Sequence, residues 1–125
     1  RISYKCNKDL GVWITMIRSF IYTETFRKCW AMMGLGDDAI AILEDELLKD
    51  PYVGDVIQGT GGARKMRIQL NGHGKSGGGR VIYLDVLKRE DLYLLFAYPK
   101  SVQENLTPEQ TKIVRQLVED IKGGE

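Results

Sequence analysis

The chain has 125 residues, 43% hydrophobic and 28% charged, which is one globular domain's worth and excludes wholesale disorder. No apolar run approaches the ~20 residues of a membrane-crossing helix. Two cysteines, Cys6 and Cys29, and one histidine, His73, supply neither a disulfide framework nor a zinc site. The net charge of +1 averages two opposed segments: residues 37–55 carry −6, whereas residues 56–84 hold Arg64, Lys65, Arg67, Lys75 and Arg80 with no acid at all.

Residues 1–15 show no clear periodicity. Met16-Ile-Arg-Ser-Phe reads as a fresh start, so residues 1–15 are expected to be an N-terminal extension, an upstream segment or cloning artefact, ahead of a domain over 16–125. Gly11-Val-Trp-Ile-Thr-Met-Ile is too short for a signal peptide's apolar core and lacks a small-residue cleavage site. Ile17 to Thr23, β-branched and aromatic, predicts a strand. Thr23 or Thr25 then caps a helix whose Phe26, Trp30 and Met33 recur at helical spacing, and Gly34 stops it. Asp37 is expected to cap a second helix with Ile40, Leu43, Leu47 and Leu48 as its apolar stripe; Pro51 ends it.

After Pro51 the period becomes two. From Ala63 to Leu70, Met66, Ile68 and Leu70 face one way and Lys65, Arg67 and Gln69 the other. A glycine-rich loop over 71–79 leads to strands over Arg80–Leu87 and Asp91–Tyr98, with Lys88-Arg-Glu-Asp as a tight polar connection. Asn105 to Thr107 caps a last helix; Pro108 fits its first turn, and Ile113, Leu117 and Ile121 line one face. The order β-α-α-β-β-β-α predicts an α+β domain with helices packed on a small, mostly antiparallel sheet.

Two phosphate motifs match in letters and fail in context. Gly72-His-Gly-Lys-Ser-Gly77 spells G-x-G-x-x-G, but a strand follows where a dinucleotide site needs a helix. Gly74-Lys-Ser76 resembles the end of a P-loop, but its first glycine would fall on Gln69 and no helix N-terminus follows. Ser76 has no His–Asp pair for a hydrolase triad. His73 reads as a solvated or RNA-proximal side chain, and Glu44-Asp-Glu46 as the solvated face of a helix.

The basic segment offers more. Eight of the 14 glycines lie there, where glycine lets a backbone approach another chain closely, although two flexible loops with solvated charges would show the same composition. Lys65 and Arg67 share one face of a strand. In an antiparallel meander Arg80 returns beside Arg67, and the Tyr98-Pro-Lys100 exit can flank them. Such a cationic cluster on an open sheet calls for an anion, and a phosphodiester suits it. RNA carries its own nucleophile, the 2′-hydroxyl. Cations can stabilise the charge that develops on the phosphoryl oxygens, and a lysine among cations can exchange a proton. Plain electrostatic binding of RNA explains the same charges.

Four stretches in order resemble the RelE/ParE superfamily of bacterial toxins, most of all its HigB-type branch: Thr60-Gly-Gly-Ala-Arg-Lys-Met-Arg67, Gly74-Lys-Ser-Gly-Gly-Gly-Arg-Val-Ile-Tyr83, Leu92-Tyr-Leu-Leu-Phe-Ala-Tyr-Pro-Lys100 and Glu104-Asn-Leu-Thr107. The resemblance spans residues 16 to 122. It implies the toxin of a type II toxin–antitoxin system: a cytoplasmic, metal- and cofactor-independent mRNA interferase that enters the ribosomal A site, held inactive by a helix-turn-helix-type antitoxin. Carried over by position, it implies Lys65, Arg67, Arg80 and Lys100 as catalytic residues, with Arg80 on the scissile phosphate. It implies Arg64, His73, Lys75, Ser76 and Tyr98 as RNA contacts. Many relatives carry a C-terminal tyrosine or histidine as stacking group or base. Here Asn105-Leu-Thr107 stands in that neighbourhood, Tyr98 and His73 are the nearest candidates, and Lys65 is the favoured base. The ParE branch, which poisons DNA gyrase and lacks the basic cluster, is the alternative.

Overall fold

The computed structural model describes residues 2–7, 12–69 and 78–123; for 2–7 and 12–16 it describes the backbone alone. In chain order the elements are β1 (Ile2–Asn7), β2 (Val12–Ile17), β3 (Ser19–Tyr22), α1 (Glu24–Met32), α2 (Asp37–Lys49), β4 (Asp55–Val56), β5 (Arg64–Ile68), β6 (Gly79–Val86), β7 (Asp91–Pro99) and α3 (Pro108–Gly123). β3, β7, β6, β5 and β4 make one sheet in that order. β3 runs parallel to β7, and the other pairings are antiparallel. β1 and β2 pair with each other, apart from that sheet, and lie against α2. The fold is α+β, as expected.

Side-chain alternation divides the core into two layers. On one face of the sheet Met66, Val81, Tyr83, Leu92, Leu94 and Ala97 pack under Phe26 and Trp30 of α1 and Leu43 and Leu47 of α2. On the other face Ile82, Leu84, Val86, Leu95 and Tyr98 meet Val114 and Val118 of α3. A register shift after Ile82, which faces Phe96 while Tyr83 faces Leu94, leaves Leu95 as the extra residue of a bulge. Leu95 and Phe96 consequently both belong to the α3 layer.

Local chemistry sets the helix ends. The Thr23 hydroxyl accepts from the Phe26 N–H at 3.1 Å and donates to the carbonyls of Leu94 and Leu95, so the start of α1 is tied to β7. Gly34, at φ +75°, follows the Met33 C-cap of α1. α3 opens on a capping box: the Thr107 hydroxyl accepts from the Gln110 N–H, and the Gln110 side chain accepts from the Thr107 N–H.

Several expectations need correction. Residues 2–7 and 12–15, in the stretch expected to be an extension without periodicity, belong to the antiparallel pair β1–β2; Ile17 ends β2, and the sheet strand starts only at Ser19. Arg18 between them is buried, where its guanidinium forks onto Asp85 with bonds of 2.7 and 3.1 Å. Asp37 does not cap α2. Gly36 holds the N-cap position without a side-chain bond, and Asp37 and Asp38 occupy the first turn, where carboxylates favour the positive end of the helix dipole. On α3 the buried residues are Val114 and Val118, while Ile113 is exposed. Two adjacent apolar stripes compete on that helix, and the one flanked by Leu117 and Ile121 meets the sheet.

The glycines at 59–62 serve a stapled turn. Gly59, Gly61 and Gly62 all have positive φ, and buried Thr60 closes the turn by donating to Ile57 O at 2.7 Å and accepting from Ala63 N–H at 3.1 Å. Nearby, the fully buried Tyr83 hydroxyl donates to Pro51 O and accepts from Gly54 N–H, fixing the α2–β4 connection to the sheet.

Candidate functional site

The α3 layer changes character along its length. Toward Val86 it is apolar and covered by the helix. Toward Gly79 it becomes polar and open. Lys65 and Arg67 project there from β5, because Met66 between them is buried on the opposite face. The ladder sets Arg80 opposite both Arg67 and Tyr98. β7 ends at Pro99, and the backbone N–H of Lys100 still reaches Gly78 O at 2.8 Å, so Lys100 stays beside the start of β6.

The segment between β7 and α3 completes the cluster. Glu104 Oε1 accepts from Arg80 Nη2 at 2.8 Å. The Glu104 backbone carbonyl accepts from the Tyr98 hydroxyl at 3.1 Å and lies 3.5 Å from Lys65 Nζ. Lys65 Nζ donates to Asn105 Oδ1 at 2.7 Å. Arg80 is 3% exposed, with Nη1 on Gly79 O and Nε buried without a hydrogen-bond partner among the described residues. The sequence reading put Arg80 in a cationic cluster on an open sheet; the structure buries it.

Electrostatics follow from this packing. The hydrogen bond from Arg80 holds the Glu104 carboxyl below the usual carboxylate range, and the charges of Arg80, Lys100 and Lys65 act in the same direction. Burial pushes the Tyr98 phenol up, opposed by Arg80 and reinforced by Glu104. At neutral pH the site holds an anionic Glu104 and a neutral Tyr98 that donates its proton. Among the described residues no group of three or more His, Cys, Asp or Glu side chains could hold a metal ion.

Of the residues singled out in the sequence, Lys65, Arg80, Tyr98 and Lys100 surround Glu104, and Arg67 stands exposed across from Arg80. Arg64 lies apart from them. It points to the other face, donates to Gly54 O at 2.7 Å and sits over the Tyr52 ring. His73, Lys75 and Ser76 lie outside the described residues. Glu104 and Asn105 were missed as site residues. A signal existed: Glu104 is the one acid between Asp91 and Glu109, four residues after Lys100.

Among the described residues no helix is long and apolar enough to cross a membrane. The fold is similar to the solved structure of an arginine-to-alanine double mutant of the E. coli toxin RelE in the free state. The two are 17% identical with a TM-score of 0.50, over 70% of this chain and 88% of that one. Residues 38–123 match the family model for the RelE toxin of the RelE / RelB toxin–antitoxin system. This match takes in β5, β6, β7 and the Glu104 segment, and the chain therefore belongs to the RelE toxin family.

Proposed function

We propose that the protein is the toxin of a type II toxin–antitoxin pair of the HigB kind, and that it cleaves translated mRNA in the ribosomal A site by metal-independent 2′-hydroxyl attack. The observation that carries this reading is the gathering of Lys65, Arg80, Tyr98 and Lys100 around Glu104 at the open end of the sheet, with Arg80 on its carboxylate and Tyr98 and Lys65 at its backbone carbonyl. A site that gathers cations around an anion is suited to a phosphodiester. In the proposed reaction the 2′-oxygen bonds to phosphorus as the bond to the 5′-oxygen breaks. Arg80 takes the charge that develops on the phosphoryl oxygens, a role worth about 10²–10³ in rate for a single well-placed donor. Lys65, once it has given up its own proton to solvent, accepts the 2′-hydroxyl proton as the neutral amine, water protonates the departing 5′-oxygen, and Arg67 and Lys100 hold the flanking phosphates. Arg64, His73, Lys75 and Ser76 are proposed as outer RNA contacts. The inhibiting partner is a helix-turn-helix-type antitoxin, and its acidic residues would complement the basic segment. Residues 1–15 are proposed as an extension that the reaction does not use.

The test is primer-extension mapping of mRNA in a defined cell-free translation reaction, with and without ribosomes. The wild type should cut only translated message, and Arg80→Ala and Lys65→Ala should lower cleavage at least about 10²-fold. Intact mRNA with a folded, toxic wild type would refute this reading and point to gyrase inhibition instead.

A further inference from the structure

We propose that Glu104 and Asn105 form an intrachain latch that occupies the phosphate seat, so that RNA must displace Glu104 to reach Arg80. The inference rests on the function proposed above and concerns the free protein's readiness for it.

The first argument is occupancy. Two consecutive residues of one exposed loop satisfy three of the proposed site residues at once. Glu104 holds Arg80 through its carboxylate and Tyr98 through its carbonyl, and Asn105 holds Lys65. An incoming phosphate would need the same donors.

The second argument is incompleteness. Arg18 uses Nε and Nη2, one edge of its guanidinium, to fork onto both oxygens of Asp85. Arg80 carries the same edge, but Glu104 takes Nη2 alone and the buried Nε has no hydrogen-bond partner among the described residues. A buried donor without a bond is costly, and a planar fork favours two acceptor oxygens. A phosphodiester has two and can fill both positions. Glu104 is thus a partial substitute for the ligand, held more weakly than its replacement.

The third argument is that the latch can open without dismantling the fold. The loop is anchored on both sides of it. Gln103 N–H bonds Pro99 O, and the Gln103 side chain bonds Gln110. Thr107 and Gln110 cap α3 independently of residues 104 and 105. The Glu104 side chain is 47% exposed, so water receives it on release. Its lowered pKa keeps it anionic at neutral pH and makes it a poor proton acceptor, which fits a phosphate substitute better than a general base.

The test measures binding of a 2′-O-methylated, uncleavable single-stranded RNA oligonucleotide to the full chain by fluorescence anisotropy at fixed salt. Glu104→Gln should bind roughly two- to fivefold tighter than wild type, the range of a part-exposed ion pair that competes with ligand. Asn105→Ala should show a smaller gain. In an Arg80→Gln background the gain from Glu104→Gln should disappear, because the competition runs through that guanidinium. Unchanged or weaker binding by both Glu104→Gln and Asn105→Ala, with wild-type melting, would overturn the latch. If Arg80→Gln still abolishes RNA binding in that case, the nuclease reading stands without it. No binding of the free oligonucleotide by any variant would overturn the latch, which requires RNA to compete with Glu104, whereas the nuclease reading is decided by the primer-extension test with ribosomes.

Discussion

Tyr83→Phe removes one oxygen atom and should cost a large part of the domain's stability. The side chain is fully buried, and its hydroxyl serves two buried backbone groups: it donates to Pro51 O at 2.8 Å and accepts from Gly54 N–H at 2.9 Å. Gly54 itself is held close to β5, where an added Cβ would lie 2.7 Å from Lys65 O. Each orphaned group costs ~1–3 kcal/mol, so the loss should be ~2–4 kcal/mol after partial relaxation, against ~5–15 kcal/mol for a typical domain. Urea unfolding, followed by the fluorescence of buried Trp30, should show the midpoint falling by about 1–2 M with the slope unchanged. The substitution also has a pH signature. Burial raises the Tyr83 phenol above its ordinary 10.0. The folded chain therefore holds that proton longer than the unfolded chain. Its stabilisation is complete below about pH 10 and is lost as pH rises through the folded value. Tyr83→Phe should flatten that alkaline decline, leaving the part due to Tyr98, which is raised in the same direction. A midpoint within about 0.3 M of wild type would refute the claim that this hydroxyl bridges the two segments.

Two further substitutions separate scaffold from site. Asp85→Ala removes the carboxylate onto which the buried Arg18 guanidinium forks and should cost about 3–5 kcal/mol in thermal or urea unfolding; a loss under about 1 kcal/mol would mean that the pair is hydrated in solution. Thr60→Val keeps the shape of the 57–63 turn but leaves Ile57 O and Ala63 N–H without the hydroxyl, a cost of about 1–2 kcal/mol. Cleavage per folded molecule should stay at the wild-type level, and an activity loss beyond the unfolded fraction would place that turn in RNA contact.

Apart from β4, the elements from β3 to α3 were legible because they carry periodic or capping signals. The Lys65–Met66–Arg67 alternation fixed which face of β5 is basic, and the Arg67–Arg80 pairing followed from the meander. Thr23 and Thr107 announced helix starts by residue type. β4, with two residues, is too short for any period to register. The rotation of α3 was missed because Ile113 and Val114 are both apolar, and only the sheet selects between them. The neutralisation of Arg80 was missed for a different reason. Its partner lies 24 residues away in a loop with no pattern, and burial of the guanidinium depends on the whole end of the sheet.

The order of the sheet has a consequence for how the protein is made. β7 lies between β3 and β6, yet it is the last strand to be synthesised. Thr23 waits 72 residues for the Leu95 carbonyl that it binds. Until β7 emerges from the ribosome, β3 has no neighbour in the sheet and β6 presents a bare edge. Long-range pairing of this kind slows folding and exposes strand edges meanwhile. Arg80 and Glu104 meet only after that strand is in place. A nascent chain therefore has Lys65, Arg67 and Arg80 well before the strand and loop that assemble them into the proposed site.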